Sequence, residues 1–258
     1  MAATVNQTGR EKVDGLRRRI GFWLSNDATR LLWPGRCLSC GEGGTEAIDL
    51  CIACQSSLPW LGPACPRCAL PLHAVGAGTG AGEAAPCSTC QAKPPPLTEV
   101  HAPCLYAAPI DRLLPRFKFH HDLAAGRLLS QLMAEHCFAL PRPDALVPVP
   151  LHRARLRQRG YDQALELARP LASALGIPIR TDLLRRVRAT AQQTRLDAAE
   201  RARNLHRAFQ ANTAVALPAH VVLIDDVMTT GATLHAAAHA LRQAGAGRVD
   251  AWICARAP

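Results

Sequence analysis

The second half of the chain alternates between short apolar blocks and longer segments whose apolar residues recur with helical spacing. The apolar blocks predict buried strands at 102–107, 144–149, 221–225 and 249–254, with a short one at 177–179. The spaced segments predict helices within 110–140, at 162–175 and at 232–244. Strands that alternate with helices are typical of an α/β domain with a mainly parallel sheet, in which ligands bind beyond the carboxyl ends of the strands.

The first hundred residues follow a different pattern and divide into two parts. Residues 10–33 carry apolar positions at helical spacing with a run of arginines between them, which predicts a basic amphipathic helix. Such a helix binds membranes or partners, or packs against the segment that follows, and we prefer the packed interpretation. A proline-rich spacer at 91–98 marks the next boundary. The sequence therefore predicts an N-terminal segment, a cysteine-rich module and an α/β domain, at residues 1–33, 34–98 and 99–258.

The number and the spacing of the cysteines are the most informative feature of the composition. The chain has eleven cysteines, and eight of them form four Cys-x-x-Cys pairs: Cys37/Cys40, Cys51/Cys54, Cys65/Cys68 and Cys87/Cys90. The start of the chain lacks a signal-peptide pattern and no apolar run is long enough to span a bilayer, so we expect a cytoplasmic protein whose thiols stay reduced. Paired cysteines in such a protein indicate zinc sites, in which each pair gives two thiolates to the metal.

Four pairs supply the ligands of two structural zinc ions, and two pairing schemes fit. Neighbouring pairs combine most simply, 37/40 with 51/54 and 65/68 with 87/90, whereas an interleaved arrangement also fits the spacing. A redox role is the alternative for a single Cys-x-x-Cys, but thioredoxin-type motifs occur singly at the start of a helix. The remaining cysteines lie in apolar surroundings and are expected to be inert core thiols: Cys104, Cys137 and Cys254.

The block at 221–233 reads Val-Val-Leu-Ile-Asp-Asp-Val-Met-Thr-Thr-Gly-Ala-Thr and carries the most specific chemistry. Apolar residues lead into two adjacent carboxylates, Asp225 and Asp226, and a hydroxyl-rich turn with Gly231 then leads into a helix. Unpaired N–H groups and the dipole at the start of a helix attract anions, and a glycine lets the backbone curl around a phosphate. The carboxylates suit ribose hydroxyls or a hydrated magnesium ion. The alternative is that the aspartates only cap the helix.

This block resembles the binding signature for phosphoribosyl pyrophosphate (PRPP) of the type I phosphoribosyltransferases. The resemblance implies that the acidic pair holds the 2- and 3-hydroxyls of the ribose and that the loop holds the 5-phosphate. The PRPP-binding residues that it implies here are Asp225, Asp226, Val227, Met228, Thr229, Thr230, Gly231, Ala232 and Thr233. In the hypoxanthine–guanine salvage enzymes of that family, an aspartate near the start of the phosphate loop acts beside the purine. Thr229 stands there in this chain, which disfavours a salvage role.

Positive charge is concentrated in the segment that precedes this block. The formal net charge is +10, and residues 152–207 hold thirteen arginines against five acidic residues. The run Val-Pro-Val-Pro-Leu-His-Arg at 147–153 opens this segment by passing from a predicted strand into a cation-rich loop. A single arginine is as often a solvated surface residue, but a cluster that faces a phosphate loop suits a pyrophosphate or a polyanionic ligand.

Several short motifs together resemble those of the ComF/GntX family over residues 34–258. They are the four cysteine pairs, Lys-Pro-Pro-Pro, Phe-Lys-Phe at 117–119, Val-Pro-Val-Pro-Leu, Arg-Gly-Tyr-Asp-Gln, Thr-x-x-Gln-Thr and the PRPP signature. Family members commonly have Phe-Asn where this chain has Tyr161-Asp162. The resemblance implies a type I phosphoribosyltransferase fold after a double zinc ribbon. It also implies that Leu151, His152 and Arg153 form the pyrophosphate loop and that residues 185–207 form a hood over the site.

Two functions follow from the resemblance to this family, and they belong to different classes. The first is an enzyme that binds PRPP with Mg2+ and transfers phosphoribose to an unknown acceptor, with Asp225, Asp226 and Arg153 as its catalytic residues. The second starts from the competence role of ComF relatives, the uptake of DNA for transformation. A protein of that kind would bind single-stranded DNA and use the fold to sense PRPP or a nucleotide. Its candidate partners are DNA-uptake or recombination proteins, and the sequence leaves oligomerisation open.

Overall fold

The computed structural model describes residues 35–45, 48–72, 85–188 and 208–257. The helix predicted at 10–33 and most of the hood predicted at 185–207 lie outside these ranges. The chain forms two compact units, residues 1–56 and 57–258, so the division falls between the second and the third cysteine pair. The domain limits predicted after residues 33 and 98 stay predictions.

The described part of the first unit is built around two cysteine pairs. Arg36 and Gly43 form an antiparallel bridge that closes a hairpin around the first pair. A short helix, α1 (Ile52–Ser56), follows the first cysteine of the second pair. The backbone N–H of Leu38 donates to the carbonyl of Asp49, which connects the hairpin to the chain that leads into α1.

A parallel sheet forms the centre of the second unit. The strands of this unit are β1 (Val100–His101), β2 (Cys104–Leu105), β3 (Ala145–Pro148), β4 (Leu184–Arg186), β5 (Phe209–Ala211), β6 (His220–Met228) and β7 (Arg248–Arg256). The sheet runs in the order β1–β7–β6–β3, β2 also pairs with β7, and all of these pairs are parallel. β4 and β5 form a separate antiparallel ribbon. The predicted α/β class with a mainly parallel sheet is confirmed.

Several strands differ from their predicted limits. In place of the strand predicted at 102–107 there are two short strands, β1 just before this block and β2 within it, and Pro103 between them has no N–H to give to the ladder. The strand predicted at 177–179 is reduced to a single bridge between Leu146 and Ile179. β6 does not end at Asp225, because β7 continues to offer it partners as far as Met228.

Helices cover both faces of the sheet. They are α2 (Ser88–Ala92), α3 (Ile110–Phe119), α4 (Leu123–Cys137), α5 (Arg153–Arg159), α6 (Gln163–Leu175) and α7 (Ala232–Gln243). α7 packs with Val221, Leu223 and Ala251 in one buried cluster. Since neighbouring strand residues point to opposite faces, Val222 and Ile224 face the other layer, where α4 and α6 contact the strands. Within the described ranges, no helix combines the length and the apolar character needed to cross a bilayer.

The segment that carries the third cysteine pair packs into the core of the α/β unit. Ala69 is buried in the same cluster as Leu97, Val100 and the strands under α7. The backbone N–H of Val100, the first residue of β1, donates to the carbonyl of Pro66 at 2.8 Å. The third pair is therefore part of the fold of the second unit.

Candidate functional site

Eight cysteines form two clusters of the size that a tetrahedral metal requires. Within each cluster all sulfur atoms lie within 4.8 Å of one another, and the members are Cys37, Cys40, Cys51 and Cys54, and Cys65, Cys68, Cys87 and Cys90. Zinc–sulfur bonds near 2.3 Å place tetrahedral ligands about 3.8 Å apart. The sulfur atoms of Cys40 and Cys51 are 3.7 Å apart. Those of Cys68 and Cys87 are 3.8 Å apart. Neighbouring pairs therefore combine, and both clusters fit closed, structural zinc sites.

The backbone around each cluster favours the thiolate, which is the form of cysteine that binds zinc. Burial opposes ionisation of Cys37, but hydrogen bonds from the backbone of Cys51 and Cys40 bring its pKa down to about 6. Burial likewise opposes ionisation of Cys65, and hydrogen bonds from the backbone of Cys87 and Arg67 bring the pKa of that thiol down to about 7. One thiol in each cluster is thus at least partly ionised near neutral pH, which is the form that binds a metal.

The three cysteines outside the clusters differ from Cys37 and Cys65, whose pKa values are lowered. Cys104, Cys137 and Cys254 are all buried. Burial raises the pKa of the Cys104 thiol to about 12 and that of Cys137 still further. These thiols stay protonated, which agrees with the prediction of inert core residues.

The acidic pair occupies consecutive positions at the carboxyl end of β6, so the two side chains leave opposite faces of the sheet. Asp226 contacts α3 through an ion pair, in which Nζ of Lys118 lies 2.9 Å from Oδ1 of Asp226. Burial works against the charge on Lys118, but Asp226 and Asp225 together raise the pKa of the lysine above its usual value. An ammonium ion therefore neutralises one carboxylate of the pair.

The other carboxyl group of the pair is partly protonated at neutral pH. Removal from water raises the pKa of Asp225 to about 7, and the charge of Asp226 acts in the same direction. On this face Arg186 of β4 lies within electrostatic reach of Asp225, next to Arg155 of α5. A carboxyl group in this state gains more than a solvated one from a cation or a hydroxyl donor that a ligand brings.

The turn after β6 is shaped for an anion. Thr229 and Thr230 are exposed, and Gly231 is the N-cap of α7 with a φ of 75°. Gly231 has no side chain to cap this helix, and the N–H of Ala232 donates to Oγ1 of Thr230 at 3.5 Å, so the interpretation of the aspartates as helix caps is wrong. The φ of Gly231 requires glycine, and a Cβ there would also press on the end of the Met228 side chain and on the His235 ring. The first turn of α7 therefore presents backbone N–H groups to the open turn.

The predicted pyrophosphate loop is separated from the end of β3 by two residues and lies at the same end of the sheet as the acidic pair. The N–H groups of Leu151 and Leu165 donate to the two carboxylate oxygens of Asp162, at 3.3 and 3.2 Å. Asp162 thus connects this loop to the start of α6. His152 caps α5 through its ring nitrogen, and Arg153 is the first residue of that helix, with an exposed side chain.

Two features of the site differ from what the motifs indicate. The cation-rich loop predicted after residue 152 is helix α5, because its residues are good helix formers up to Gly160, whose φ of 78° ends the helix. Lys118 receives no role from the motifs, yet it contacts Asp226 directly. The sequence does contain a signal for this lysine. Lys118 follows Phe117 and lies four residues after Leu114, and both of these residues are buried, so the lysine lies at the edge of the buried face of α3.

Comparison with known proteins agrees with this architecture. Residues 28–91 match the family Double zinc ribbon domain, and residues 162–258 match the family Phosphoribosyl transferase domain. DNA utilization protein YhgH of Salmonella typhi is 37% identical over 231 residues, which cover 86% of this chain and 97% of the relative. Competence protein F of Haemophilus influenzae is 32% identical with the same coverage. Competence protein ComFC of Bacillus subtilis is 29% identical over 210 residues, 76% of this chain and 79% of the relative.

The fold and the two kinds of site define a protein with a double zinc ribbon and a phosphoribosyltransferase domain. More particularly, the chain belongs to the ComF/GntX family, since it matches competence protein F and the DNA utilization proteins over nearly their full length. The resemblance that the cysteine pairs and the PRPP signature carry is thereby confirmed.

Loss of zinc from the second cluster is expected to destabilise the α/β unit, whereas loss from the first is not. Cys90→Ser removes a ligand of the cluster whose segment contributes Ala69 to the core, and Cys54→Ser is the matched change in the first cluster. Structural zinc contributes folding free energy, so we expect Cys90→Ser to lower the Tm of the α/β unit by roughly 10 °C, for a loss of about 3 kcal/mol. Calorimetry and metal analysis measure both effects. Equal Tm values for the two variants would contradict this prediction.

The stability of the ligand-free protein is expected to fall as the pH rises towards 7. The pKa of Asp225 in the folded state, about 7, lies above its value in the unfolded chain, so this group stabilises the fold fully below about pH 4 and progressively less above it. Its contribution should decrease by roughly 2 kcal/mol between about pH 5 and pH 7. Urea unfolding of Asp225→Asn should lack this decrease, and Lys118→Met should enlarge it. An Asp225→Asn variant with the pH dependence of the parent would show that another group is responsible.

Proposed function

We propose that this protein binds PRPP together with Mg2+ at the carboxyl end of β6 and transfers phosphoribose to an acceptor in the cytoplasm. One arrangement carries the proposal: the acidic pair and the turn at Gly231 follow each other on a single strand–turn–helix corner. Carboxylates suit the ribose hydroxyls, and an uncapped helix start suits the 5-phosphate.

Each part of the corner has a role in the proposed reaction. Asp225 and Asp226 would accept hydrogen bonds from the 2- and 3-hydroxyls, and the backbone around Gly231 would hold the 5-phosphate still. Arg153, with the loop at 151–152, would contact the pyrophosphate and stabilise its charge as the bond at C1 breaks. The pyrophosphate leaves with the electron pair of that bond, and a nucleophile of the acceptor takes its place at C1.

The donor set at this corner fits Mg2+. Carboxylate oxygens are the ligands that this ion prefers. Burial and the charge of Asp226 raise the pKa of Asp225, so a cation beside the pair would favour the ionised form of Asp225. When bound, Mg2+ would neutralise oxygens of the pyrophosphate and the ribose. The ammonium of Lys118 forms an ion pair with Asp226, and binding of Mg2+ to Asp226 would weaken this contact.

Replacement of both aspartates by asparagine is expected to weaken the binding of Mg–PRPP by roughly 100-fold. Asparagine keeps the shape and the hydrogen-bonding capacity but removes two negative charges, and hydrogen bonds to charged groups are the stronger ones. Ribose 5-phosphate without metal should lose roughly tenfold at most. Calorimetry on Asp225→Asn/Asp226→Asn with both ligands measures the difference. Unchanged affinity for Mg–PRPP would show that the sugar lies elsewhere.

Two glycines that flank α7 provide the matched control for the phosphate turn. Gly231 and Gly245 have φ values of 75° and 108°, so alanine strains both. Only at Gly231 would the new Cβ meet other atoms. Gly231→Ala should therefore weaken PRPP and ribose 5-phosphate alike by about tenfold, whereas Gly245→Ala should leave both unchanged. Arg153→Met should weaken only PRPP, because ribose 5-phosphate has no pyrophosphate.

The relatives favour a second candidate function, the binding of single-stranded DNA. Their names are DNA utilization protein and competence protein. In the described part of the arginine-rich stretch, several arginine side chains are exposed: Arg153, Arg157, Arg185 and Arg188. Such a surface would bind phosphates without sequence preference while the fold senses PRPP or a nucleotide. DNA-uptake or recombination proteins, or further copies of the chain, would then be its partners.

Binding of a labelled single-stranded oligonucleotide is expected to weaken by about 100-fold between roughly 50 and 200 mM salt, as about five phosphate contacts would require. Fluorescence anisotropy measures this directly. Arg153→Ser/Arg157→Ser should weaken binding and reduce the salt dependence. Arg169→Ser is the matched control, because this exposed arginine is paired with Glu166. Binding that is undetectable at low salt, or insensitive to salt, would remove this candidate.

A further inference from the structure

Arg256, the last residue of β7, contacts two distant parts of the second unit. Its side chain is buried, with 7% of the residue exposed. Nε donates to the carbonyl oxygen of Cys68 at 2.8 Å, and Nη1 donates to the carbonyl oxygen of Met228 at 3.0 Å. The planar guanidinium holds these two donors in a fixed geometry, so it sets the distance between the two carbonyl groups.

The two carbonyl groups belong to two different sites. Cys68 is a member of the second cysteine cluster, and Met228 is the last residue of β6, directly before the turn with Thr229 and Gly231. The carbonyl of Met228 also accepts from the N–H of Ala257, so the entrance to the turn is fixed from the β7 side. The side chain of Met228 lies against Gly231, where a Cβ would strike it. A shift of Met228 would therefore reach the backbone that is proposed to hold the phosphate.

A buried guanidinium is costly unless it is paired or fully hydrogen-bonded. No carboxylate forms an ion pair with Arg256 among the described residues. Zinc held by four thiolates carries a net charge of about −2, so the second cluster supplies negative charge beside Arg256. Loss of the metal would change both the position of Cys68 and the charge that the arginine faces.

We propose that Arg256 is a positioning residue that couples the second zinc site to the phosphate-binding turn, so that zinc and a sugar phosphate strengthen each other's binding. The coupling rests on the proposed function, because it needs the turn after β6 to bind the 5-phosphate. One part of the proposal is independent of that function: the guanidinium stabilises the zinc cluster through its hydrogen bond to Cys68.

The test uses the full chain with Cys51→Ser/Cys54→Ser, which leaves only the second cluster complete. Arg256→Met removes the charge and the hydrogen bonds of the guanidinium to the carbonyls of Cys68, Met228 and Ala257. Arg256→Lys keeps the charge but cannot reach Cys68 and Met228 with two fixed donors. Arg248→Met is the matched control, because Arg248 lies on the same strand but pairs with Glu99 and Asp250. Zinc release to a chromogenic chelator and the Kd of ribose 5-phosphate by calorimetry are measured for each protein.

Arg256→Met is expected to release zinc about tenfold faster than Arg248→Met and to bind ribose 5-phosphate about tenfold more weakly, which is the usual size of a coupling between sites. Ribose 5-phosphate should slow the release of zinc from the parent, the Cys51→Ser/Cys54→Ser chain, but not from Arg256→Met. General structural damage would speed the release of zinc but would not abolish this effect of ribose 5-phosphate. Arg256→Lys should restore part of the zinc retention without restoring the linkage.

Two negative results are distinguishable. If the parent binds PRPP but Arg256→Met matches Arg248→Met in zinc release and in affinity for ribose 5-phosphate, the coupling is wrong and the proposed function stands. If the parent binds neither ligand, the proposed function is wrong, and the coupling to a phosphate turn is wrong with it.

Discussion

Two like charges on consecutive residues of a buried strand are the constraint around which the second unit is arranged. Asp225 loses water near the end of β6 and lies beside the charge of Asp226, and both effects oppose the ionisation of Asp225. The alternation of a β-strand separates the two side chains onto opposite faces, so each can be balanced by a different layer of the fold. Lys118 of α3 balances Asp226, and Arg186 of the β4–β5 ribbon approaches Asp225.

The two cysteine clusters have similar ligand sets but different structural settings. The first belongs to a small unit with its own short helix, whereas the second lies on a segment whose Ala69 is buried under α7 together with the strands. Sequence spacing alone groups both into one module. Burial divides them, because the core of the α/β unit includes the chain around the third pair.

The elements predicted most accurately are those that depend on local pattern. A strand buried on both faces, such as β3, forms a continuous apolar run, and α6 is delimited by Asp162 at its start and Gly176 at its end. The acidic pair and the glycine turn are also local, so a short motif identifies them.

Features that depend on distant contacts could not be predicted in the same way. β6 extends beyond Asp225 only because β7 pairs with it. Lys118 and Arg256 obtain their roles from partners far away in the sequence, Asp226 and Cys68. A single sequence shows an arginine at the end of an apolar run but not the carbonyl groups that it will meet.

The ion pair between Lys118 and Asp226 has a consequence for how a ligand exchanges with the site. The ammonium is tethered to α3, so a ligand that displaces it does not release it into solvent, as it would release a bound sodium ion. The lysine stays close to Asp226 at a high effective concentration and re-forms the ion pair as soon as a ligand moves away from the aspartate. For the ligand proposed here, the tethered lysine would therefore compete for Asp226 and favour rapid dissociation of weakly bound molecules over long residence.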